Sequence, residues 1–142
     1  MTVVIAAAEV IGEVTVMGLA DRIGKRRLSL IGSAVSALSY VILPHLDTSL
    51  PLALAGVFVM FLFVEIGIVA AIPLFSEVLP EARAVMMSGV IGASSLGRFL
   101  GAAGGGALLA LVGDFAVIGL VSTGVGLLAV FSMWRFVPEG GR

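Results

Sequence analysis

Apolar residues run through this chain in five long blocks, and most of its charged residues fall in the gaps between them. The blocks cover residues 1–20, 28–44, 52–75, 84–112 and 115–134. Each falls within or beyond the roughly 17–25 residues that carry an α-helix across ~30 Å of hydrocarbon at ~1.5 Å per residue. The pattern therefore predicts an all-α membrane protein with five transmembrane helices in one transmembrane domain spanning residues 1–142. Helix breakers and charges punctuate the gaps: Gly18 to Arg27, then Pro44 to Pro51 with His45 and Asp47, then Ser76 to Arg83 with Pro80, then Val112-Gly113-Asp114.

Composition sharpens the picture. Apolar residues make up 60% and charged residues 12% of the chain, with a mean hydropathy of +1.22; soluble domains have about 45–50% and about 25%. With no cysteine, disulfides, thiolate metal sites and a cysteine nucleophile are excluded. The first block is a span rather than a secretory leader, because it carries Glu9 and Glu13 and its basic cluster follows the apolar run.

Lysine and arginine outside the hydrocarbon fall on one side. Arg22, Lys25, Arg26, Arg27, Arg83, Arg135 and Arg142 share a face of the predicted topology, opposite His45, Asp47 and Asp114. By the positive-inside rule the basic face is cytoplasmic, the amino terminus outside and the carboxyl terminus inside. Tyr40 and Trp134 stand at span ends, where interfacial aromatics are enriched. The excess of arginine over lysine, with abundant Ala, Gly and Val, points to a GC-rich prokaryotic source and hence to a bacterial plasma (inner) membrane.

Charges within hydrocarbon are costly and mark functional positions. Four occur: Glu9, Glu13, Glu65 and Arg98. Arg98 lies roughly 21 Å of helix from the cytoplasmic end of its span, too deep to snorkel to the headgroups. Glu65 and Glu9 share its depth, so either is a partner for the guanidinium. Two roles remain open for the Glu65–Arg98 pair: a cavity-facing site whose carboxylate exchanges a proton, or a static ion pair that orients helices. Glu13, about a turn from the inner end, is expected to reach the basic loop. Around Glu65, one helical face carries Phe58, Phe61, Leu62, Ile68, Val69 and Ile72, a wall suited to an amphiphilic substrate but also what any strongly apolar span would show.

A second pattern marks the fourth span. Gly89, Ala93, Gly97, Gly101 and Gly105 recur every four residues and form a small-residue seam, expected to contact another helix. The Gly101 to Gly106 run is no phosphate cradle, because neither a preceding strand nor a Lys-Ser/Thr pair accompanies it. His45, the single histidine, falls in an outer loop. Metal clusters and nucleic-acid faces are absent from the pattern, and no cofactor is implied. An intramembrane enzyme is disfavoured: Ser94 and Ser95 lie near Arg98 without a histidine base in the membrane.

The stretch GLADRIGKRR, Gly18 to Arg27, resembles the signature cytoplasmic loop of the major facilitator superfamily through Gly18, Leu19, Ala20, Asp21, Arg22, Gly24, Lys25, Arg26 and Arg27. Pro80-Glu81-Ala82-Arg83 is similar to the family's second inner loop. The resemblance, closest to the drug and metabolite efflux branch, covers essentially the whole chain. It implies most of one six-helix half-bundle and a gating role for Gly18, Asp21, Arg22, Gly24 and Arg26. Because the motif follows the first span, it also implies that the spans are helices eight to twelve of a carboxyl-terminal half. The tenth helix would then line the cavity, with the ninth and twelfth peripheral.

Such a half supplies one wall of a site that needs two, so the chain is expected to be a truncated or split product. Its expected partners are the lipid bilayer, an amino-terminal half or a second copy, and a small-molecule substrate. The implied function is secondary active, proton-coupled efflux of a small organic molecule by alternating access. The alternative is a non-transporting membrane interaction module or remnant half-transporter associating through the seam.

Overall fold

The computed structural model describes residues 1–78 and 80–137. Expectations placed on the 138–142 tail, Arg142 among them, lie outside the described residues. Five helices long and apolar enough to cross a membrane follow one another: α1 (Thr2–Ile23), α2 (Lys25–Ile42), α3 (Leu50–Val78), α4 (Arg83–Val112) and α5 (Phe115–Phe136). Short 3-10 turns at Leu43–His45 and Pro80–Ala82 precede α3 and α4. No strand occurs among the described residues. The fold is an all-α membrane half-bundle.

The signature stretch is almost entirely helical, which corrects the expected ten-residue loop. Gly18 to Ile23 complete α1, Lys25 to Arg27 open α2, and the reversal is confined to Gly24 at φ 95°. Nothing between Leu19 and Ile23 breaks a helix, whereas a positive φ is open to glycine without a Cβ clash. The Gly24 amide donates to the Ala20 carbonyl at 3.0 Å, and the Gly24 carbonyl accepts from the Leu28 amide at 3.0 Å, so one residue serves both helices.

Elsewhere the ends follow local chemistry. Gly113, at φ 71°, takes the left-handed position after α4, and the Asp114 carboxylate caps α5 by accepting from the Ala116 amide at 2.8 Å. Pro73 lies inside α3 without ending it. At 29 residues α3 is ~43 Å long, more than the ~30 Å of hydrocarbon, which a tilted helix accommodates.

Packing centres on α2 and α3. At Gly32 the α2 backbone meets the α3 backbone at Gly67, and the Ser29 hydroxyl donates to the Gly67 carbonyl at 2.8 Å. Val16, Leu28, Ile66 and Ala70 form the core beside this crossing. On the other side of α2, Gly119 of α5 lies against the Tyr40 carbonyl, Gly126 lies against Ala37, and the Thr123 hydroxyl donates to the Ala37 carbonyl at 2.8 Å. Helix α1 packs on α3, whereas α4 makes only sparse contact with α3 and α5 and has no buried residue.

The packing bears on two expectations, the α4 seam and the outer position of the second span. Among the described residues the glycines of the Gly89–Ala93–Gly97–Gly101–Gly105 seam meet no neighbouring helix: a Cβ added at Gly89, Gly97, Gly101 or Gly105 would find nothing within 4 Å. The close-approach glycines are Gly12, Gly32, Gly67, Gly119 and Gly126. Nor is the second span peripheral. Leu28, Ser29, Gly32, Ser36 and Ala37 bury one face of α2 between α3 and α5, and only the opposite face, with Ile31, Leu38 and Ile42, is open. Dispersion and close approach hold helices together where lipid is as apolar as the core, so small residues rather than bulky ones choose the inner face.

Candidate functional site

Three of the four intramembrane charges gather at the α1–α3 contact. Glu65 is half-buried on α3, and its Cβ would lie 2.8 Å from a Cβ added at Gly12. That contact requires glycine at position 12 and fixes the carboxylate against α1. Glu9 and Glu13 stand one turn apart on α1, exposed and within charge–charge range of Glu65. The result is a group of three carboxylates in the middle parts of α1 and α3, open on one side; Glu13 lies ~15 Å from the Ile23 end of α1 rather than about a turn from it.

Arg98 is not among them. It is exposed on α4 and makes no ion pair with Glu65 or Glu9; the one ion pair among the described residues is Lys25–Glu77. Position along a helix is only one coordinate. The angle of Glu65 around α3 is set by the Gly12 contact, which turns the carboxylate toward α1. The expected link from Glu13 to the basic stretch is likewise absent. The apolar wall around Glu65 is divided: Leu62 and Val69 pack against the core, while Ile68 and Ile72 are exposed.

The basic stretch ties three helices at one end of the bundle. Lys25 pairs with Glu77 at the end of α3 at 2.5 Å. Arg26 reaches α5, donating through Nε to the Val137 carbonyl at 2.8 Å and through a terminal nitrogen to the Trp134 carbonyl. The Trp134 carbonyl is in the last turn of α5 and the Val137 carbonyl belongs to the residue that caps it, where a cation also meets the negative end of the macrodipole. Asp21 and Arg22 are exposed, with no side-chain hydrogen bond or ion pair among the described residues. Glu77 was missed by sequence reasoning, although a lone acid at the basic end of a span was the available signal.

An apolar pocket of about 240 Å³ lies near the far ends of α2 and α3, lined by Ser39, Ile42, Leu46, Leu52, Gly56 and Val59 among others, and it includes none of the carboxylates. No group of three or more His, Asp or Glu suited to a metal occurs among the described residues.

Five apolar helices, the signature stretch at a one-residue turn and intramembrane carboxylates together describe a transporter half-bundle, and the family model of the Major Facilitator Superfamily matches residues 1–142. The chain belongs to the major facilitator superfamily. Comparison with curated proteins and with solved structures finds no significant match in either. Major facilitator proteins are transporters rather than enzymes, and this one is an integral membrane protein.

Proposed function

We propose that this chain forms one wall of a proton-coupled secondary transporter that exports a small organic molecule by alternating access. The observation that carries this reading is the group of Glu65, Glu9 and Glu13 in the middle parts of α1 and α3, since intramembrane carboxylates on an open face are suited to taking up and releasing protons. The sequence resemblance to helices eight to twelve of the efflux branch adds to it. With no nucleotide-binding motif in the sequence, the energy would come from an ion gradient. In this reading the basic end faces the cytoplasm of a bacterial cell, and both termini follow from that orientation. Lys25–Glu77 and the Arg26 contacts would help set the inward or outward state.

The test is flux through a complete transporter carrying this chain, reconstituted in vesicles with an imposed proton gradient. Glu65→Gln is expected to abolish uphill movement while leaving substrate exchange intact, because the amide preserves shape but cannot carry the proton. Undiminished uphill flux would return Glu65 to a structural role and shift coupling to Glu9 or to the opposing half. A second reading, a non-transporting interaction module, draws on the uncovered α4; it predicts association without any gradient-dependent flux.

A further inference from the structure

At the end of the bundle opposite the basic stretch, three chain segments enclose a second cavity, of about 360 Å³, lined by Leu43, Pro44, Asp47, Ala53, Val57 and Phe115. Leu43 and Pro44 belong to the 3-10 turn that follows α2. Ala53 and Val57, four residues apart, present one face of the first two turns of α3. The third segment is the start of α5, where the Asp114 cap leaves Phe115 as the first helical residue. Gly119 decides how near that helix comes. A Cβ there would lie 3.3 Å from Cγ of Pro44 and closer still to the Tyr40 carbonyl oxygen, so only a bare backbone lets α5 settle against the end of α2. Phe115, one turn earlier on the same side of α5, is thereby brought into the lining, yet remains 66% exposed.

Charge decides what such a cavity accepts. Asp47 is the one ionisable residue of the lining; it is exposed and has no ion-pair partner among the described residues. Asp114 adds a second negative charge one residue from Phe115, and by capping α5 it also offsets the positive end of that helix's dipole. No lysine or arginine occurs in residues 28–82 or 99–134, and His45, in the same turn as Pro44, is not in the lining. We propose that this cavity binds a small organic ammonium ion. The carboxylate attracts the cationic nitrogen, the open ring of Phe115 attracts it through its quadrupole, and Leu43, Pro44, Ala53 and Val57 take the apolar body. An anion meets two like charges here, and a neutral apolar molecule gains the hollow alone. The volume lies at the small end of the roughly 300–1,000 Å³ of small-molecule pockets, which limits the ligand to a compact amine. Glu9, Glu13 and Glu65 are not in the lining, so the site stands apart from the transport reading.

The test uses the whole chain in an uncharged maltoside detergent, with benzyltrimethylammonium as the probe and saturation-transfer NMR, suited to weak ligands, as the readout. Binding should saturate and should weaken as salt rises, because the charges involved are open to water. Benzenesulfonate, of similar size and opposite charge, should not bind. Asp47→Asn should lower the affinity for the probe by up to about fivefold, the range of an exposed ion pair. Phe115→Leu, which keeps apolar bulk and removes the ring, should lower it about twofold to fivefold. Ala53→Leu, which fills the hollow from α3, should abolish saturation. Glu81→Gln, an exposed acid in the turn before α4, should change nothing. Asp47 stands in an exposed turn, so its change to Asn tests the charge while helical circular dichroism verifies that the fold is kept. No saturable binding by the unaltered chain, equal binding of benzenesulfonate, equal affinities in Asp47→Asn and Glu81→Gln, or full affinity in Ala53→Leu would overturn the proposal. So would displacement of the probe by phosphatidylcholine but not by phosphatidylglycerol, which would make a lipid headgroup the occupant in place of a soluble ion. Because the assay involves no flux, its outcome and that of the Glu65→Gln experiment are independent.

Discussion

A methyl group added at Gly32 would sit 2.5 Å from the Gly67 nitrogen and 2.9 Å from the Phe63 carbonyl oxygen, both backbone atoms that cannot turn aside. The same group at Gly101 would touch nothing within 4 Å. Two helical glycines therefore give opposite outcomes. Gly32→Ala should gain up to about 1 kcal/mol of helix propensity but lose more by forcing α2 from α3, where overpacking costs about 1–3 kcal/mol. Gly101→Ala should leave the stability of the chain unchanged or slightly raised. Thermal unfolding in detergent, followed by helical circular dichroism, separates them. Equal melting shifts for the two variants would mean that the α2–α3 crossing is looser than the Gly32–Gly67 approach implies.

Between elements, the contacts at the basic end bind α2 to α3 and to α5 by different means. Lys25–Glu77 is a partly exposed pair, with side chains 33% and 41% accessible, and water screens much of its attraction; its loss in Lys25→Ala should cost no more than about 1 kcal/mol. Arg26 holds the Trp134 carbonyl of α5 and the Val137 carbonyl just past its end with one planar fork, which lysine cannot reproduce as a single-point donor. Arg26→Ala should therefore fray the last turn of α5, seen as faster amide exchange over Ser132 to Phe136, and Arg26→Lys should recover only part of the protection. Unchanged exchange in Arg26→Ala would separate the motif from α5. This contact gives the signature stretch a physical job in this chain: a one-residue turn at Gly24 aims α2's first basic residues at the ends of two other helices.

For the whole molecule, the sidedness of charge yields a testable orientation. The structure brings the α1–α2 turn, the end of α3 and the end of α5 to one side through the Lys25 and Arg26 contacts, and that side holds Arg22, Arg27, Arg83 and Arg135 as well. Thr48→Cys, in the opposite turn, should react with an impermeant thiol reagent added outside intact cells. Glu81→Cys, exposed in the short turn before α4, should react only after permeabilisation. The reverse pattern would invert the orientation and with it the cytoplasmic placement of the signature stretch. The bundle is also uneven. Its centre is the α2–α3 crossing, flanked by α1 and α5, and α4 is the least attached helix, so a partner on α4 would change more surface than one on any other helix.

The number of helices, their order and the family were legible in the sequence, because a span must satisfy every backbone group internally and so announces itself as an unbroken apolar run. The one-residue turn at Gly24 was not, because the glycines and charges of Gly18 to Arg27 read as a loop until the helices on both sides were seen to run up to it. Which faces meet was not. In a lipid-facing chain an inward Leu and an outward Leu read alike, so the regular seam on α4 looked like the packing surface, while the glycines in close contact were scattered through α1, α2, α3 and α5. Nor could matched depth decide the partner of Arg98: linear position along a helix is written in residue number, but rotation about the axis is fixed by tertiary contacts such as Gly12 against Glu65. Sequence alone thus determined the number and order of the helices. Only the packed bundle decided which carboxylates gather and which charge remains open to a partner, because those choices depend on backbone approach rather than on hydrophobicity.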